Sequence, residues 1–165
     1  AKLMAMAVAC NQTRVFNMLF SQSLSMVRRR GEAHTHHTLT HEEPVDSKLG
    51  YQAEVAWYNV KSMEALARFI EPFTKVREGA GTLLDNTLIF ANSDTNNAKV
   101  HSVDGVPVMT IGRAGGRVRT GEHYIGGGDP ISRVGLTVLQ AMGLQLPSWG
   151  TASLRTSKTI TGMLA

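Results

Sequence analysis

Residues 51–78 constrain the fold most. Val55, Tyr58, Val60, Met63, Leu66, Ala67, Ile70 and Phe73 recur at helical spacing and leave polar residues mainly to the other face. A helix with such a stripe has to bury it against other elements, so the chain needs a packed core. Pro72 is expected to kink or end this helix, and Gly79-Ala80-Gly81 breaks the pattern. The 165 residues are 42% apolar, enough for one domain with a real core. No run approaches the ~20 apolar residues of a membrane span.

Shorter patterns flank this helix. Leu3, Met6, Ala7 and Cys10 suggest a helix ending near Asn11, with Cys10 as a buried structural thiol. Alternation and β-branching favour a strand from about Val15. Residues 30–50 are polar and read as a long ordered loop. Residues 87–91 and 106–112 read as buried strands. Val118, Thr120 and Tyr124 suggest a short edge strand or an extended arm. Asp129 and Pro130 mark the N-cap and first position of a helix through Met142. From Pro147 onward the chain reads as a terminal arm. Strands and helices in this order argue for an α/β fold in a single partial domain, residues 1–165. The chain opens on Ala1 inside what reads as a helix, and is expected to be the C-terminal portion of a longer protein.

Two polar segments carry the residues of a ligand site. Five of the six histidines fall in or near them: His34, His36, His37 and His41 in the first, and His101 seven residues beyond Asp94 in the second. Imidazoles and carboxylates from distant segments are how proteins build metal sites. His37 and His41 are spaced i, i+4 and would share a face on a helix, although three threonines and the absence of apolar periodicity favour a loop. The alternative is a solvated polar loop, or an adventitious metal-binding tract. Asp94 follows a predicted strand end, where a hard cation would find a carboxylate; Asn92, Ser93, Asn96 and Asn97 equally suit an Asx turn.

The loop Gly112-Arg113-Ala114-Gly115-Gly116-Arg117 follows a strand. Its backbone N–H groups and arginines could hold an anion, with a glycine turn as the plainer alternative. It is neither a Walker A loop nor a dinucleotide fingerprint. The net charge is +4, gathered at Arg28-Arg29-Arg30, Arg113, Arg117, Arg119, Arg155 and Lys158. Few aromatics accompany these groups, so a solvated basic face is favoured over a nucleic-acid surface. One cysteine excludes an internal disulfide and a cysteine zinc site.

Taken in order, these segments resemble a bacterial family catalogued as domain-of-unknown-function family 1552. Asn11-Gln12-Thr13-Arg14-Val15 resembles the stretch before its histidine loop. His37-Thr38-Leu39-Thr40-His41 resembles its His-x-x-Ser-His motif, with Thr40 in place of Ser. Gly81-Thr82-Leu83-Leu84-Asp85-Asn86-Thr87-Leu88 resembles the start of one of its strands. The specific block is His101, then Val106-Pro107-Val108 and residues 112–121.

The resemblance implies an exported protein, periplasmic or extracellular. It implies the C-terminal part of an alkaline-phosphatase-like domain, with a mostly parallel sheet flanked by helices. It further implies His37, His41, Asp94 and His101 as ligands of a divalent metal, zinc or calcium, with Arg113 as a substrate-anion contact. The expected function is then a metal-dependent phosphate- or sulfate-ester hydrolase, completed by a nucleophile in the missing N-terminal portion and inactive as 165 residues alone. Three places depart from what the family often shows. Asn97-Ala98-Lys99-Val100-His101 replaces an Asp-Gly-Asn-x-His run, and Val103 and Glu42 replace histidines. These losses are the basis of the alternative, a non-catalytic periplasmic or cell-surface structural or interaction subunit with a degenerate site.

Overall fold

The computed structural model describes residues 1–165. The chain divides into two compact units, Ala1–Val76 with Asp94–Val103, and Arg77–Ser93 with Asp104–Ala165.

The first unit is helical. Helix α1 spans Lys2–Ala9, α2 spans His36–Glu42 and α3 spans Ala53–Lys75. The stripe on α3 buries Tyr58, Phe69 and Phe73. Phe16 adds an edge-on ring 5.9 Å from Phe69. Pro72 does not end α3, because the helix runs one further turn to Lys75. Cys10 is exposed rather than buried. It lies just past the C-terminus of α1, where the chain leaves the packed face.

Two further expectations fail in this unit. Residues 15–20 form no strand, since no other segment of the chain pairs with them. Residues 30–50 are not all loop, because they contain α2. Thr35 starts that helix by accepting a bond from the Thr38 N–H at 3.1 Å. Helices α2 and α3 also cap one another. The Gln52 amide donates to the carbonyls of Thr40 and Glu43 at 3.1 and 2.7 Å, at the end of α2. The Glu43 carboxylate accepts from the Glu54 and Val55 N–H groups, at 2.7 and 2.9 Å, at the start of α3. These bonds satisfy terminal groups that a helix leaves open.

The second unit is mixed. Strands β1 (Arg77–Glu78) and β2 (Gly81–Thr82) pair antiparallel, and helix α4 (Leu83–Asn86) follows. Thr82 and Asp85 close a capping box on α4. That bond from the Thr82 N–H holds the Asp85 carboxyl below the usual carboxylate range. Strands β3 (Ile89–Asn92) and β4 (Val108–Ile111) pair antiparallel, with Ile89 opposite Ile111. Both ladders are antiparallel, so the expected mostly parallel sheet is not among the pairings formed. Alternate residues of β3 are exposed, Phe90 among them, so this strand is half-buried rather than fully buried. Together the elements make a mixed α/β chain.

Helix α5 (Ser132–Ala141) starts at Ile131 without a side-chain cap. Asp129, expected as that cap, instead pairs with Arg133 and accepts from the Tyr124 hydroxyl at 2.5 Å. Residues 147–165 are tied into this unit rather than free of it. Trp149 bridges to Thr156, and Leu164 bridges to Val118. Thr137 on α5 is fully buried and accepts from the Ile160 N–H at 2.9 Å.

Candidate metal centre

Helix α2 sorts its histidines by face. His36 stacks on Tyr58 of α3, with ring centroids 4.7 Å apart. Burial there, with a smaller contribution from His37, holds its pKa below the ordinary imidazole value. His37 and His41 lie on another face, one turn apart, with ring centroids 4.8 Å apart. The helix makes this pairing automatic, because residues i and i+4 are neighbours on its surface. His34, just before the helix, stands 3.8 Å from Glu42 across an exposed pair.

His101 arrives from the other polar segment. A 3-10 turn at Ala98–Val100 precedes it, and Asn97 caps that turn by accepting from the Lys99 N–H at 3.1 Å. Bonds from Asn96 N–H to the Ser102 carbonyl and from Ser102 N–H to the Asn97 carbonyl close the loop at 2.9 and 3.0 Å. His101 itself sits in the left-handed region, at φ 52°. Such backbone in a non-glycine residue concentrates at functional sites. Its ring meets His41 edge-on, 5.1 Å between centroids. Three imidazoles from residues 37, 41 and 101 thus form one continuous contact chain.

Ser23 links the remaining candidate to this chain. Its hydroxyl donates to the Asp94 carboxylate, and its carbonyl lies 3.1 Å from His37 Nδ1. A carbonyl only accepts, so Nδ1 is the donor, and in the neutral ring Nε2 keeps its lone pair. That tautomer is the one a carbonyl partner imposes on metal-ligating histidines. Beside it, the Ser25 carbonyl accepts from the His37 N–H, and the buried Ser25 hydroxyl has no partner. Ser23 carried no signal in sequence. Thr35 did, as a hydroxyl residue standing where a helix N-cap would be.

The donor chemistry fits a transition metal, since three imidazoles and one carboxylate are ordinary zinc ligands. As the side chains stand, however, no three His, Cys, Asp or Glu residues are grouped to hold one ion.

Arg113 belongs to the second unit. It is exposed, and its carbonyl accepts from the Gly116 and Val118 N–H groups at 2.9 and 3.1 Å. The Ala114 and Gly115 N–H groups donate to the carbonyls of Thr87 and Asp85, at 3.2 and 2.8 Å. Four backbone donors of this loop are therefore already engaged by carbonyls. Gly112, at φ +95°, has the Thr87 carbonyl oxygen where a Cβ would stand. The glycines here serve close backbone approach rather than an anion cradle.

Comparison with family models, with curated proteins and with solved structures finds no match to this chain.

Proposed function

We propose that this chain contributes a metal-binding histidine face to an exported hydrolase of phosphate or sulfate esters, as part of an alkaline-phosphatase-like domain. The observation that carries the reading is the meeting of His37, His41 and His101, from segments sixty residues apart, in one chain of ring contacts. His37, His41 and His101 would hold the ion, with Asp94 as the anionic ligand. A bound zinc would act as a Lewis acid on the ester oxygen. The chain's own part is positional. Ser23 fixes the His37 tautomer and anchors Asp94, and the Asn97-capped turn delivers His101.

Bringing three donors onto one ion requires the rings to turn about their side-chain torsions. His101 is exposed and His37 and His41 are half-buried, which leaves room for that motion. The family resemblance, on which export and ester chemistry rest, is independent of this geometry. Arg113 has no part in the proposal.

Elemental analysis of the untagged protein after exhaustive buffer exchange tests the reading. About one equivalent of a transition metal is expected, lost in the His37→Ala, His41→Ala double variant and weakened in His101→Ala. No retained metal after supplementation would overturn it and favour the second reading, a non-catalytic subunit of an exported assembly. That second reading rests on the family resemblance, in which Val103 and Glu42 stand where histidines are often found.

A further inference from the structure

Two glycines of the second unit make room for an indole and for the chain beside it. Gly135 of α5 has Trp149 Nε1 at 2.9 Å from the place a Cβ would occupy, so any side chain there would displace the ring. Gly150, at φ +90°, lets the Leu154 carbonyl pass where its own Cβ would stand. That carbonyl also accepts from the Ser132 hydroxyl of α5. Trp149 and Thr156 exchange backbone bonds at 2.9 and 2.8 Å. These contacts hold residues 149–156 against the start of α5. Between them lies an open cavity of about 590 Å³, with Phe90, Ile131, Trp149 and Leu154 as its apolar walls. Small-molecule sites span roughly 300–1,000 Å³. Phe90 is 41% exposed and Trp149 46%, and no other ring of the chain packs on either. Two aromatic side chains thus line one cavity without an aromatic partner, which favours a flat ring as occupant.

The polar end of the cavity is at Ser148, which also lines it. The Ser148 hydroxyl accepts from Arg155 Nε and Nη2, at 3.3 and 3.1 Å, and so keeps its own hydrogen to donate. Ser148 and Arg155 together line an adjoining cavity of about 470 Å³. Arg155 is the one charged residue lining either cavity, and it pairs with no carboxylate of the chain. A neutral ring would leave this cation unmatched, and a phosphate dianion would bring more charge than one guanidinium balances. A carboxylate brings a single charge and the planar shape that a guanidinium fork receives.

We infer that this cavity binds a small aromatic carboxylate, with its ring against Trp149 and Phe90 and its carboxylate at Ser148 and Arg155. The site uses none of the histidines and stands whether or not they hold a metal. The probe is 2-naphthylacetate, titrated into the full chain beside its neutral amide and beside cyclohexylacetate. The chain has two tryptophans, so NMR of the two indole N–H resonances, assigned with Trp57→Phe, reads the site directly. The Trp149 resonance should shift while that of Trp57 stays in place. The naphthyl carboxylate should bind at about 1 mM or tighter, and about tenfold tighter than either comparison compound. In Arg155→Gln, an exposed position, the preference for acid over amide should vanish while the amide binds as before. Phe90→Ala should weaken acid and amide alike. No shift at Trp149, equal binding of acid and amide, equal binding of cyclohexylacetate, or a preference for the acid that survives Arg155→Gln would each overturn the inference.

Discussion

The histidine segment and the glycine-arginine loop both hold the residue types of a ligand site, and the fold uses them oppositely. In α2 the backbone groups are closed by the helix, Thr35 and Gln52, and two imidazoles are left on the surface to meet a third. In the 112–118 loop the backbone donors are engaged by Thr87, Asp85 and Arg113, and the glycines make that approach possible. Glycine spacing therefore reported how tightly two stretches of backbone pack. Histidine spacing reported which side chains share a face. A motif made of side chains survives the move from sequence to structure better than one made of missing side chains.

Gly112→Ala is the strongest way to break this contrast. Its Cβ would overlap the Thr87 carbonyl at a positive φ, so a loss of about 3 kcal/mol or more is expected in urea unfolding. Gly116→Ala, at φ +87° with open space around it, should lose only about 1–2 kcal/mol. Equal losses would mean that close approach does not explain the loop. Thr35→Ala comes next, at about 1 kcal/mol, through loss of the α2 cap. It should also weaken metal retention without touching a proposed ligand. Retention unchanged in a folded Thr35→Ala protein would separate the imidazoles from the helix that carries them.

The smallest effect concerns pH and sharpens the division among the histidines. The His36 pKa is lowered in the folded chain, first by burial and then by His37. Above the unfolded value near 6.5 the group is neutral in both states and its full contribution is present. As pH falls below 6.5 the unfolded chain binds the proton first, and stability is lost until the folded pKa is passed. Urea midpoints at successive pH values should show that decline, and His36→Gln should flatten it. An unaltered decline would assign the titration to other groups.

The sequence exposed α3 well because its stripe is long and its periodicity strict. It exposed α1 and α5 to within a few residues, since caps and glycines mark the ends of helices more loosely than packing does. It hid α2, whose threonines oppose helix propensity one by one and are overruled by the Thr35 cap and by Gln52, whose amide donates to the Thr40 and Glu43 carbonyls at its end. At the site, His37 and His41 were legible as a pair. The approach of His101 was only a candidate, because nothing local encodes a meeting across sixty residues. Ser23 was invisible, being one serine in a polar run. Residues 15–20 were legible as a strand by composition and still form none, because pairing needs a second segment and none of this chain supplies it.

The chain enters the second unit at Arg77, returns to the first for Asp94–Val103, and leaves again at Asp104. Neither unit is therefore a continuous stretch that can be excised. A fragment ending at Val76 would keep His37 and His41 of α2 and the helix it rests on. It would lack the third imidazole and the carboxylate that Ser23 holds. Cutting the gene there would leave a pair of imidazoles from a cluster of three, so the natural boundary of this cluster is set by the return of the chain and not by the end of its longest helix.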